Sequence, residues 1–435
     1  MIIQQAGPRP APRPGRRAQP GRAAIVHPYS TGRYLSGAFA ASGWRSVAVV
    51  PDQPLPVFAD DVSSFRASDY AAVVTEAGDV VATASVLAAL SVTAVIAGTE
   101  SGIELADVLA RQLGLPGNDP ASSAARRDKG LMTDALARAG VPYARTIRAR
   151  TLSAALAAAR DIGGPVVVKP AASAASDNVT VCRSPQEIEA AWRAAAGQVN
   201  VMGLTNDELL VMEFLTGQQY MVNTVTYPGP GGRPAHYVAE VWRDCRREVP
   251  GGKVIYDRLD LLAGDDPRTL AAGSYIADAL DALGVVAGPA HCEMMVTSRG
   301  PRLIEANVRL AGMADIAPMD RALGISQVGL AVEAVTDPAA FARRAARGPY
   351  RRLAHAVQLD LAAPRPGILD GAALARIRSL PTVCGWVSHF RPGDRISPTV
   401  DLATSPGHLF LVGPSGQVEA DIGGIRALQG SGLYR

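Results

Sequence analysis

Lysine is scarce in this chain of 435 residues. The 43 basic residues include only three lysines, which leaves 40 arginines. Such a bias is typical of a GC-rich genome, so Lys129, Lys169 and Lys253 are each candidates for a position that requires a compact ammonium group. The alternative interpretation is that a lysine was retained by chance on a solvated surface.

Cysteine pairs and long apolar runs are also lacking. The four cysteines are far apart and form no CxxC pair, which argues against a zinc site and a disulfide framework. No apolar run approaches the roughly 18 to 20 residues that cross a bilayer. The N-terminus has proline and arginine where a signal peptide has its apolar stretch. We therefore expect a cytoplasmic protein with no membrane partner.

The charge of the chain is nearly balanced, with 40 acidic residues and a net charge of +3. Residues 1–22 are rich in proline and arginine and are predicted to form a disordered tail. Apart from this basic tail the charge is close to neutral, so we expect no nucleic-acid partner. The length exceeds one compact core, and two or three domains or subdomains are expected.

Strand-like and helical segments alternate between residues 23 and 120. The strand-like segments are AAIVHPY, SVAVVPD, YAAVVTE and TAVIAGTE. This alternation predicts an α/β domain with a doubly wound parallel sheet covered on both faces. No GxGxxG follows the first strand, so a dinucleotide site is not supported.

Residues 121–212 are predicted to form a central subdomain, and residues 213–435 a C-terminal subdomain with a small β-rich piece at 350–435. A helix from about Lys129 to Ala139 is ended by Gly140 and Pro142. The segment GPVVVKPAASAASDNVTVCRS predicts two strands joined by a loop of small residues, whose backbone amides could approach a phosphate. ELLVMEFLTGQQYMVNTVTYP and AHYVAEVW predict three strands of an antiparallel meander.

The segment GPAHCEMMVTSRGPRLIEANVRLAGM predicts a β-hairpin. A five-residue loop gives the cross-strand pairs Val296 with Arg302, Met294 with Ile304, Cys292 with Ala306, Glu293 with Glu305 and His291 with Asn307. The last two pairs share one face of the hairpin. Arg309 lies two residues beyond Asn307 on the same side of the predicted strand.

The pair formed by Glu293 and Glu305 requires an explanation. Two facing carboxylates repel each other unless a cation or a shared proton lies between them. Magnesium is often held by one or two carboxylates together with substrate phosphates, and Asn307 adds a neutral oxygen. The alternative is a solvated face on which both glutamates point to water, and a slip of one residue would remove the pair.

Four motifs carry a resemblance to a known family. DKGLMTDALARAGVP, VVVKPAASAASDNV, LLVMEFLTGQQYMV and HCEMMVTSRGPRLIEANVRLAG occur in the order and spacing of the ATP-grasp superfamily. The chain most resembles its dipeptide-forming branch, the L-amino acid ligases of the bacilysin-synthetase type, from about residue 23 through the C-terminal region. The resemblance implies an α/β (α+β) ATP-grasp fold, with the parallel-sheet domain first, a central ATP-binding subdomain next, and a C-terminal antiparallel catalytic subdomain last.

The resemblance also implies a role for each matching residue. The implied nucleotide-binding residues are Lys129 and Lys169 at the phosphates, Glu213, Phe214 and Leu215 at the adenine, and Gln219 near the nucleotide. The implied magnesium ligands are Glu293, Glu305 and Asn307, and Arg309 is the implied catalytic arginine. The implied cofactors are ATP and Mg²⁺. The resemblance implies two Mg²⁺ ions in the site, for which Mn²⁺ can substitute.

Two features depart from the family pattern. The loop from Ala171 to Asn178 has no glycine, so its phosphate contacts would come from Ser173, Ser176 or neighbouring amides. Gln219 stands where relatives often carry a glutamate. The glycine-free loop is nevertheless the expected lid, because water would destroy an acyl-phosphate.

Two further sets of residues are candidates with a structural alternative. His291 is a candidate catalytic residue that orients a substrate or a phosphate, although a lone histidine on a strand is more often structural. Arg243, Arg246 and Arg247 follow a predicted strand and are candidates to bind a carboxylate, with an exposed basic turn as the alternative.

The implied function is ATP-dependent ligation of two amino acids through an acyl-phosphate, with release of ADP and phosphate. The product is a dipeptide or a γ-glutamyl-type compound, and the residues do not choose between them. The alternatives are a carboxylase or a ligase of nucleotide biosynthesis, and a non-catalytic nucleotide-binding regulator. We expect small-molecule amino acids as partners, and a homodimer is compatible with this function.

Overall fold

The computed structural model describes residues 20–53, 65–76, 78–173, 177–249, 253–312, 314–401 and 404–435. The predicted tail therefore lies almost entirely outside the described residues, and Arg22 already belongs to the first strand. In the described ranges, no helix is long and apolar enough to cross a membrane. All four cysteines are free thiols.

The N-terminal unit is a parallel sheet flanked by helices, as the alternating segments predict. Its strands are β1 (Arg22–Val26), β2 (Arg45–Val50), β3 (Ala72–Thr75) and β4 (Ala94–Ala97). Its helices are α1 (Tyr34–Ala41), α2 (Val80–Ala89) and α3 (Ile103–Gln112). The described strands have the order β3-β2-β1-β4, and every neighbouring pair is parallel.

The strand order reverses at β1, so the loops after β1 and β4 lie side by side at the carboxyl edge of the sheet. These loops are in close contact, because a Cβ atom at Gly32 would lie 2.4 Å from the carbonyl oxygen of Gly98. Glycine is therefore required at position 32. The short 3-10 turn Glu100–Gly102 follows this contact and brings the Glu100 carboxylate to 3.2 Å from Arg309.

The central unit begins with α4 (Lys129–Ala139), the helix that the sequence predicts. The Asp128 carboxylate accepts hydrogen bonds from the N–H groups of Gly130 and Leu131, and Gly140 ends the helix at φ 70°. The other elements are β5 (Thr146–Ala149), α5 (Leu152–Ile162), β6 (Val166–Pro170), β7 (Thr180–Cys182), α6 (Pro185–Ala195) and β8 (Leu209–Glu213).

The described strands of this unit form an antiparallel sheet in the order β5-β8-β6-β7. The predicted meander is therefore wrong in one respect, since β8 pairs with β5 and β6 and not with the strand that follows it. Residues 209–212 of β8 are all buried. A short apolar run of this kind predicts a covered strand but does not identify its partners.

The C-terminal unit is built on a large antiparallel sheet. Its strands are β9 (Gln218–Pro228), β10 (Pro234–Val249), β11 (Lys253–Leu261), β12 (Gly288–Thr297), β13 (Gly300–Asn307), β14 (His355–Asp360), β15 (Gly367–Ile368), β16 (Val383–Val387), β17 (Arg395–Ile396) and β18 (His408–Gly413). Its helices are α7 (Pro267–Ala282), α8 (Ile316–Leu323), α9 (Gln327–Thr336), α10 (Pro338–Ala345), α11 (Gly371–Arg378) and α12 (Ser415–Ser431).

Across the described residues, the large sheet has the order β13-β12-β9-β10-β11-β14-β18-β16, while β15 and β17 pair separately. The segment at 350–435, predicted to be β-rich, also contains α11 and α12. Three of its strands extend the large sheet, so this segment contributes to the same surface as the hairpin β12–β13.

One face of β9, β12 and β13 packs on α7 and α4. Val222, Cys292, Met294 and Ala306 belong to the hydrophobic core on that side. Because side chains alternate across a strand, intervening residues point to the opposite face. That face holds Glu293 and the predicted site.

A fully buried ion pair connects the N-terminal unit to the rest of the molecule. Arg126 lies 2.5 Å from the Asp107 carboxylate of α3 and donates to the carbonyl oxygen of Leu283, beyond α7, over 3.2 Å. The guanidinium thus ties α3 to the C-terminal end of α7.

We expect Arg126→Ala to lower the free energy of unfolding by about 3–5 kcal/mol, because it leaves the buried Asp107 carboxylate without its cation. Arg111→Ala is the matched control, since it breaks an exposed 3.0 Å pair with Asp119 and should cost about 0–1 kcal/mol. Urea denaturation of the two variants beside the parent chain measures both values. Equal losses for the two variants would contradict a structural role for the buried pair.

Candidate active site

The hairpin β12–β13 carries the predicted carboxylate pair in the predicted register. Glu293 pairs with Glu305 and His291 pairs with Asn307 across the two strands. Both glutamates line the same cavity. The interpretation of a solvated hairpin face is therefore wrong.

Nearer the turn the predicted register is wrong by one residue. Val296 pairs with Pro301 and not with Arg302, because a two-residue turn replaces the predicted five-residue loop. A bulge at Ile304 inserts one extra residue and restores the predicted pairing beyond it. Ile304 consequently lines the cavity beside Met295 instead of facing Met294.

The cavity has a volume of about 310 Å³ and lies between the central sheet and the large sheet. We call it the nucleotide-sized cavity. Its charged end holds Lys129 from α4, Lys169 from β6 and the two glutamates. Its apolar end is lined by Val167, Met212, Phe214, Leu215, Met295 and Ile304. The arrangement suits an elongated ligand with one anionic end and one apolar end.

Lys129 contacts the carboxylate pair directly. Its Nζ lies 2.9 Å from Oε1 of Glu305 and donates to the carbonyl oxygen of Ser173, also over 2.9 Å. Burial lowers the pKa of Lys129, but Glu305 outweighs this effect and the pKa is raised overall. Burial likewise raises the pKa of Glu305, and Lys129 outweighs it, so the pKa of this carboxyl is lowered.

Lys169 is the more deeply buried cation, with 4% of its surface exposed. Burial, followed by repulsion from Lys129, lowers the pKa of Lys169 to about 8. Both lysines therefore lie inside the cleft, which rules out the surface interpretation for these two positions.

Glu293 is in a different electrostatic state from Glu305. Burial, followed by repulsion from Glu305, raises the pKa of Glu293 to about 7. Gln219 donates a hydrogen bond from Nε2 to Oε2 of Glu293 over 2.9 Å. A glutamate at position 219 could not donate this bond while ionised, so the departure from the family pattern has a structural reason.

The predicted adenine segment lies only partly in the cavity. Phe214 and Leu215 line the apolar end. The Glu213 carboxylate instead accepts from the N–H of Arg145 over 2.9 Å and pairs with Arg299. The backbone N–H groups of Glu213 and Phe214 already donate to Arg145 and Pro165. A backbone N–H bond to adenine through this segment would fall to Leu215, and the role stays a prediction.

The predicted phosphate loop contributes Ser173 to the cavity, and Ser176 lies outside the described residues. Ser173 donates from Oγ to Oδ2 of Asp177 over 2.9 Å, and both residues line the cavity. Asn178 has φ 54°, in the left-handed region that favours glycine. In this loop without glycine, the left-handed backbone conformation is adopted by an asparagine.

A second cavity of about 210 Å³ adjoins the first, and the two share Glu293 and Tyr256 as common wall. Its polar lining residues include Asn223, Glu240, His291, Arg309, Gln358 and Asp360. Its aromatic lining includes Trp242 and Phe410. This volume is below the roughly 300–1,000 Å³ of sites for drug-sized ligands, which suits a small metabolite.

His291 lies between the carboxylate pair and the second cavity. Its Nδ1 lies 2.7 Å from Oδ1 of Asn223, and its Nε2 lies 3.9 Å from Oε1 of Glu293. Burial, followed by the charge of Arg309, lowers the pKa of His291 to about 3. The imidazole is therefore neutral, and its catalytic role stays a prediction.

Arg309 lines the second cavity together with Glu293. The prediction that it belongs to the strand is wrong, since β13 ends at Asn307 and Arg309 lies in the following bend. Its guanidinium lies 3.2 Å from Oε2 of Glu100 and donates to the carbonyl oxygen of Leu310 over 2.9 Å. The N-terminal unit thus contributes a carboxylate beside the predicted catalytic arginine.

The two glutamates have the donor chemistry that magnesium requires. Their oxygens are hard ligands, and Asn307, which is 5% exposed, lies two residues beyond Glu305 on β13. Among the described residues, no group of three or more His, Cys, Asp or Glu side chains could hold a metal by itself. Phosphate oxygens would therefore complete the coordination, and the ligand roles stay predictions.

Of the three arginines that follow AHYVAEVW, one lines the nucleotide-sized cavity. Arg246 lies 4.3 Å above the Tyr256 ring and donates to Asp244 over 2.9 Å. Arg243 pairs with Asp260 at 2.6 Å, and Arg247 pairs with Asp257 at 3.1 Å. All three belong to β10, so the interpretation of a basic turn is wrong.

Sequence reasoning missed Glu100, Glu240, Tyr256 and Asp360. Glu240, Tyr256 and Asp360 line the cavities from β10, β11 and β14, and Glu100 contacts Arg309 from a 3-10 turn after β4, all outside the four motifs. For Glu240 one signal was available, because a charged residue occurs among apolar residues in the strand AHYVAEVW. No local pattern marked the other three.

Comparison with known proteins shows which family and which folds this chain resembles. Residues 128–225 match the family described as carbamoyl-phosphate synthase L chain, ATP binding domain. Dapdiamide A synthase of Enterobacter agglomerans is 30% identical over 403 residues, which cover 89% of this chain and 91% of that protein.

Two solved structures show the same fold. The L-amino acid ligase from Bacillus licheniformis superposes with a TM-score of 0.72 at 18% identity, covering 94% of this chain and 97% of that chain. The ADP complex of purK, an N5-carboxyaminoimidazole ribonucleotide synthetase, gives a TM-score of 0.67 at 15% identity, covering 95% and 98%.

The lowered pKa of Lys169 gives a pH-dependent prediction. With a pKa of about 8, this lysine is mostly neutral at pH 8.5 in the empty cleft, and a bound triphosphate should restore its proton. We expect binding of MgATP at pH 8.5 to take up part of a proton, and Lys169→Met to abolish this uptake. The variant should also weaken binding on the order of 10- to 100-fold, the scale of one hydrogen bond to a charged group.

Calorimetry in two buffers of different ionisation enthalpy measures the uptake. Glu293, with a pKa of about 7, is largely ionised at this pH and adds little to the signal. Uptake that persists in Lys169→Met would assign the proton to another group.

Proposed function

This chain belongs to the ATP-grasp superfamily and is an ATP-dependent carbon–nitrogen ligase, and we propose that it joins two amino acids through an acyl-phosphate. The products would be ADP, phosphate, and a dipeptide or γ-glutamyl-type compound. The observation that carries this proposal is the junction of the two cavities at Glu293. One cavity has the lysines and apolar wall that suit a nucleotide, and the other has polar groups at the scale of a small metabolite.

The first cavity suits ATP in a defined direction. Adenine would lie at the apolar end beside Phe214 and Leu215, and the phosphates would lie at Lys129 and Lys169. Ser173 would contact the phosphates, and the same predicted role of Ser176 lies outside the described residues. Both lysines are buried near Glu305, and Lys129, whose Nζ lies 2.9 Å from Oε1 of Glu305, can turn from this carboxylate to the phosphates without leaving the cleft.

Glu293, Glu305 and Asn307 would hold Mg²⁺, which supplies charge neutralisation to the γ-phosphate when bound. Lys129, Lys169 and Arg309 would stabilise the transferring phosphoryl group. The number of ions and the use of Mn²⁺ remain part of this proposal.

The chemistry has two steps. An oxygen of the substrate carboxylate attacks the γ-phosphorus, the bond to the bridging oxygen of ADP breaks, and an acyl-phosphate forms. The neutral amine of the second substrate then attacks the carbonyl carbon, phosphate leaves, and the nitrogen loses a proton. No covalent enzyme intermediate is needed.

The similarity to dapdiamide A synthase supports the amino acid substrates, because it extends over 89% of this chain. The similarity to purK, at 15% identity, concerns the fold. A carboxylase or a ligase of nucleotide biosynthesis would use bicarbonate or an amino-ribonucleotide in the second cavity. A non-catalytic regulator would bind ATP without releasing ADP.

The test is ADP release from ATP with every pairwise combination of the common L-amino acids, followed by mass spectrometry of the products. We expect release that depends on an amino acid, with a product mass equal to the two amino acids minus water. Parallel reactions with bicarbonate and with an aminoimidazole ribonucleotide test the alternatives. Release with either of these and with no amino acid pair would overturn the proposal.

Arg309 should matter for turnover more than for ATP affinity. Its guanidinium lies in the cavity next to the nucleotide-sized one, where it can grip two oxygens of the acyl-phosphate. We expect Arg309→Ala to bind ATP within a few-fold of the parent chain and to lose on the order of 100-fold or more in turnover. Arg309→Lys should rescue poorly, because a point charge does not reproduce the fork.

Glu100 provides the control for this variant. Arg309→Ala leaves the buried Glu100 carboxylate unpaired, so the double variant with Glu100→Ala separates that repulsion from the loss of the guanidinium. Turnover that recovers in the double variant, or a defect confined to ATP affinity, would show that Arg309 is not the catalytic arginine.

A further inference from the structure

We propose that Glu240 binds the ammonium group of the amino acid whose carboxylate is activated. This inference rests on the proposed ligation of amino acids and assigns the substrate orientation within the second cavity. It makes Glu240 a specificity-determining residue for that substrate.

Glu240 is a buried carboxylate, and one of its two oxygens accepts no hydrogen bond from the described residues. It is 4% exposed and lines the second cavity. Its Oε1 accepts a hydrogen bond of 2.6 Å from Nδ2 of Asn223. Its Oε2 has no hydrogen-bond partner among the described residues. A buried carboxylate oxygen in this state costs free energy that a bound cationic donor would remove.

The hydrogen bonds around Asn223 hold the Glu240 carboxylate by its Oε1 and leave Oε2 as the oxygen without a donor. The Asn223 amide donates to Glu240 through Nδ2, so its Oδ1 accepts from Nδ1 of His291. Burial raises the pKa of Glu240, and hydrogen bonding by the side chains of Asn223 and Trp242 offsets this effect only in part.

The second cavity is polarised between an arginine and this carboxylate. Glu293 lies where the cavity meets the nucleotide-sized one, Arg309 lines the second cavity from the bend after β13, and Glu240 lies on β10 beyond Asn223. The row Glu240, Asn223, His291 crosses three neighbouring strands in register. An amino acid can therefore direct its carboxylate to the phosphoryl-transfer site while its ammonium group reaches Glu240.

This orientation has a chemical consequence for the product. An amine attacks a carbonyl only in its neutral form, and a carboxylate partner keeps an ammonium group protonated. The amino acid held by Glu240 is thus prevented from acting as the nucleophile while its own carboxylate is activated. Glu240 would therefore determine which of the two amino acids keeps a free amino group in the product.

The test compares an amino acid with the 2-hydroxy acid of the same carbon skeleton as the carboxylate-supplying substrate. Both are assayed by ADP release with the same second amino acid, taken from an active pair. We expect the parent chain to prefer the amino acid on the order of 100-fold in kcat/KM, the scale of a desolvated charge pair. Glu240→Gln should lose most of this preference, by a loss on the amino acid and not on the 2-hydroxy acid.

Glu240→Gln is close to the same shape and retains an oxygen that can accept from Asn223. A purely structural role in positioning His291 would instead lower activity with both substrates equally. Asp360→Asn is the matched control, because this second buried carboxylate also lines the cavity, on β14. It should leave the preference for the ammonium group in place.

The outcomes separate this inference from the proposed function. ADP release with no amino acid pair would overturn the ligase proposal. Release with a parent chain that accepts the 2-hydroxy acid within about three-fold would overturn the assignment of Glu240 alone, whether or not the variant folds. A preference unchanged in folded Glu240→Gln, or lost in Asp360→Asn instead, would do the same.

Discussion

Repulsion between Glu293 and Glu305 is the constraint on which the site depends. Two carboxylates in register on one face of a buried hairpin cannot both be ionised without compensation. Lys129 from α4, Lys169 from β6 and the Gln219 amide from β9 supply it. Because these elements belong to different units of the chain, compensation of one pair of charges also fixes how the central sheet meets the large sheet.

The second cavity depends on the same hairpin from its other side. A row from His291 through Asn223 to Glu240 leads from the hairpin to β10, and the bend after β13 places Arg309 in the cavity. Glu100 then holds the guanidinium from the N-terminal unit. The loops at the carboxyl edge of the parallel sheet, where its strand order reverses, are thus the part of that unit that reaches the chemistry.

The sequence predicted what depends on local chemistry and missed what depends on long-range pairing. Helix α4, the parallel sheet and the Glu293–Glu305 pair followed from capping residues, alternation and turn residues. The partners of β8 did not, because an apolar strand carries no record of its neighbours. Asp360 was beyond reach for the same reason, since it joins the site only through the order of strands in the large sheet.

The hairpin register was predicted correctly at the glutamates even though the turn was not. The tighter turn shifts the pairing by one residue, and the bulge at Ile304 shifts it back. Alternation of side chains alone could not reveal two deviations that cancel. The tighter turn and the bulge together leave one structural trace, the position of Ile304 at the apolar end of the cavity.

The ionisation of the carboxylate pair explains how the cleft tolerates its own charges before a nucleotide binds. Lys129 is held protonated against an ionised Glu305, while Lys169 and Glu293 have pKa values of about 8 and about 7. Near neutral pH the second carboxylate can therefore hold a proton, and the second lysine can release one at slightly higher pH. The buried cluster adjusts toward neutrality in a region where an uncompensated charge would be costly.

Binding of a triphosphate with its magnesium would shift the protonation of both Lys169 and Glu293 toward the charged forms that ligation requires. The phosphates favour the charged form of Lys169, and the metal favours the charged form of Glu293. The same groups that lower the charge of the empty cleft thereby become fully charged ligands when the nucleotide enters. Charge compensation within the hairpin is in this sense the structural preparation for phosphoryl transfer.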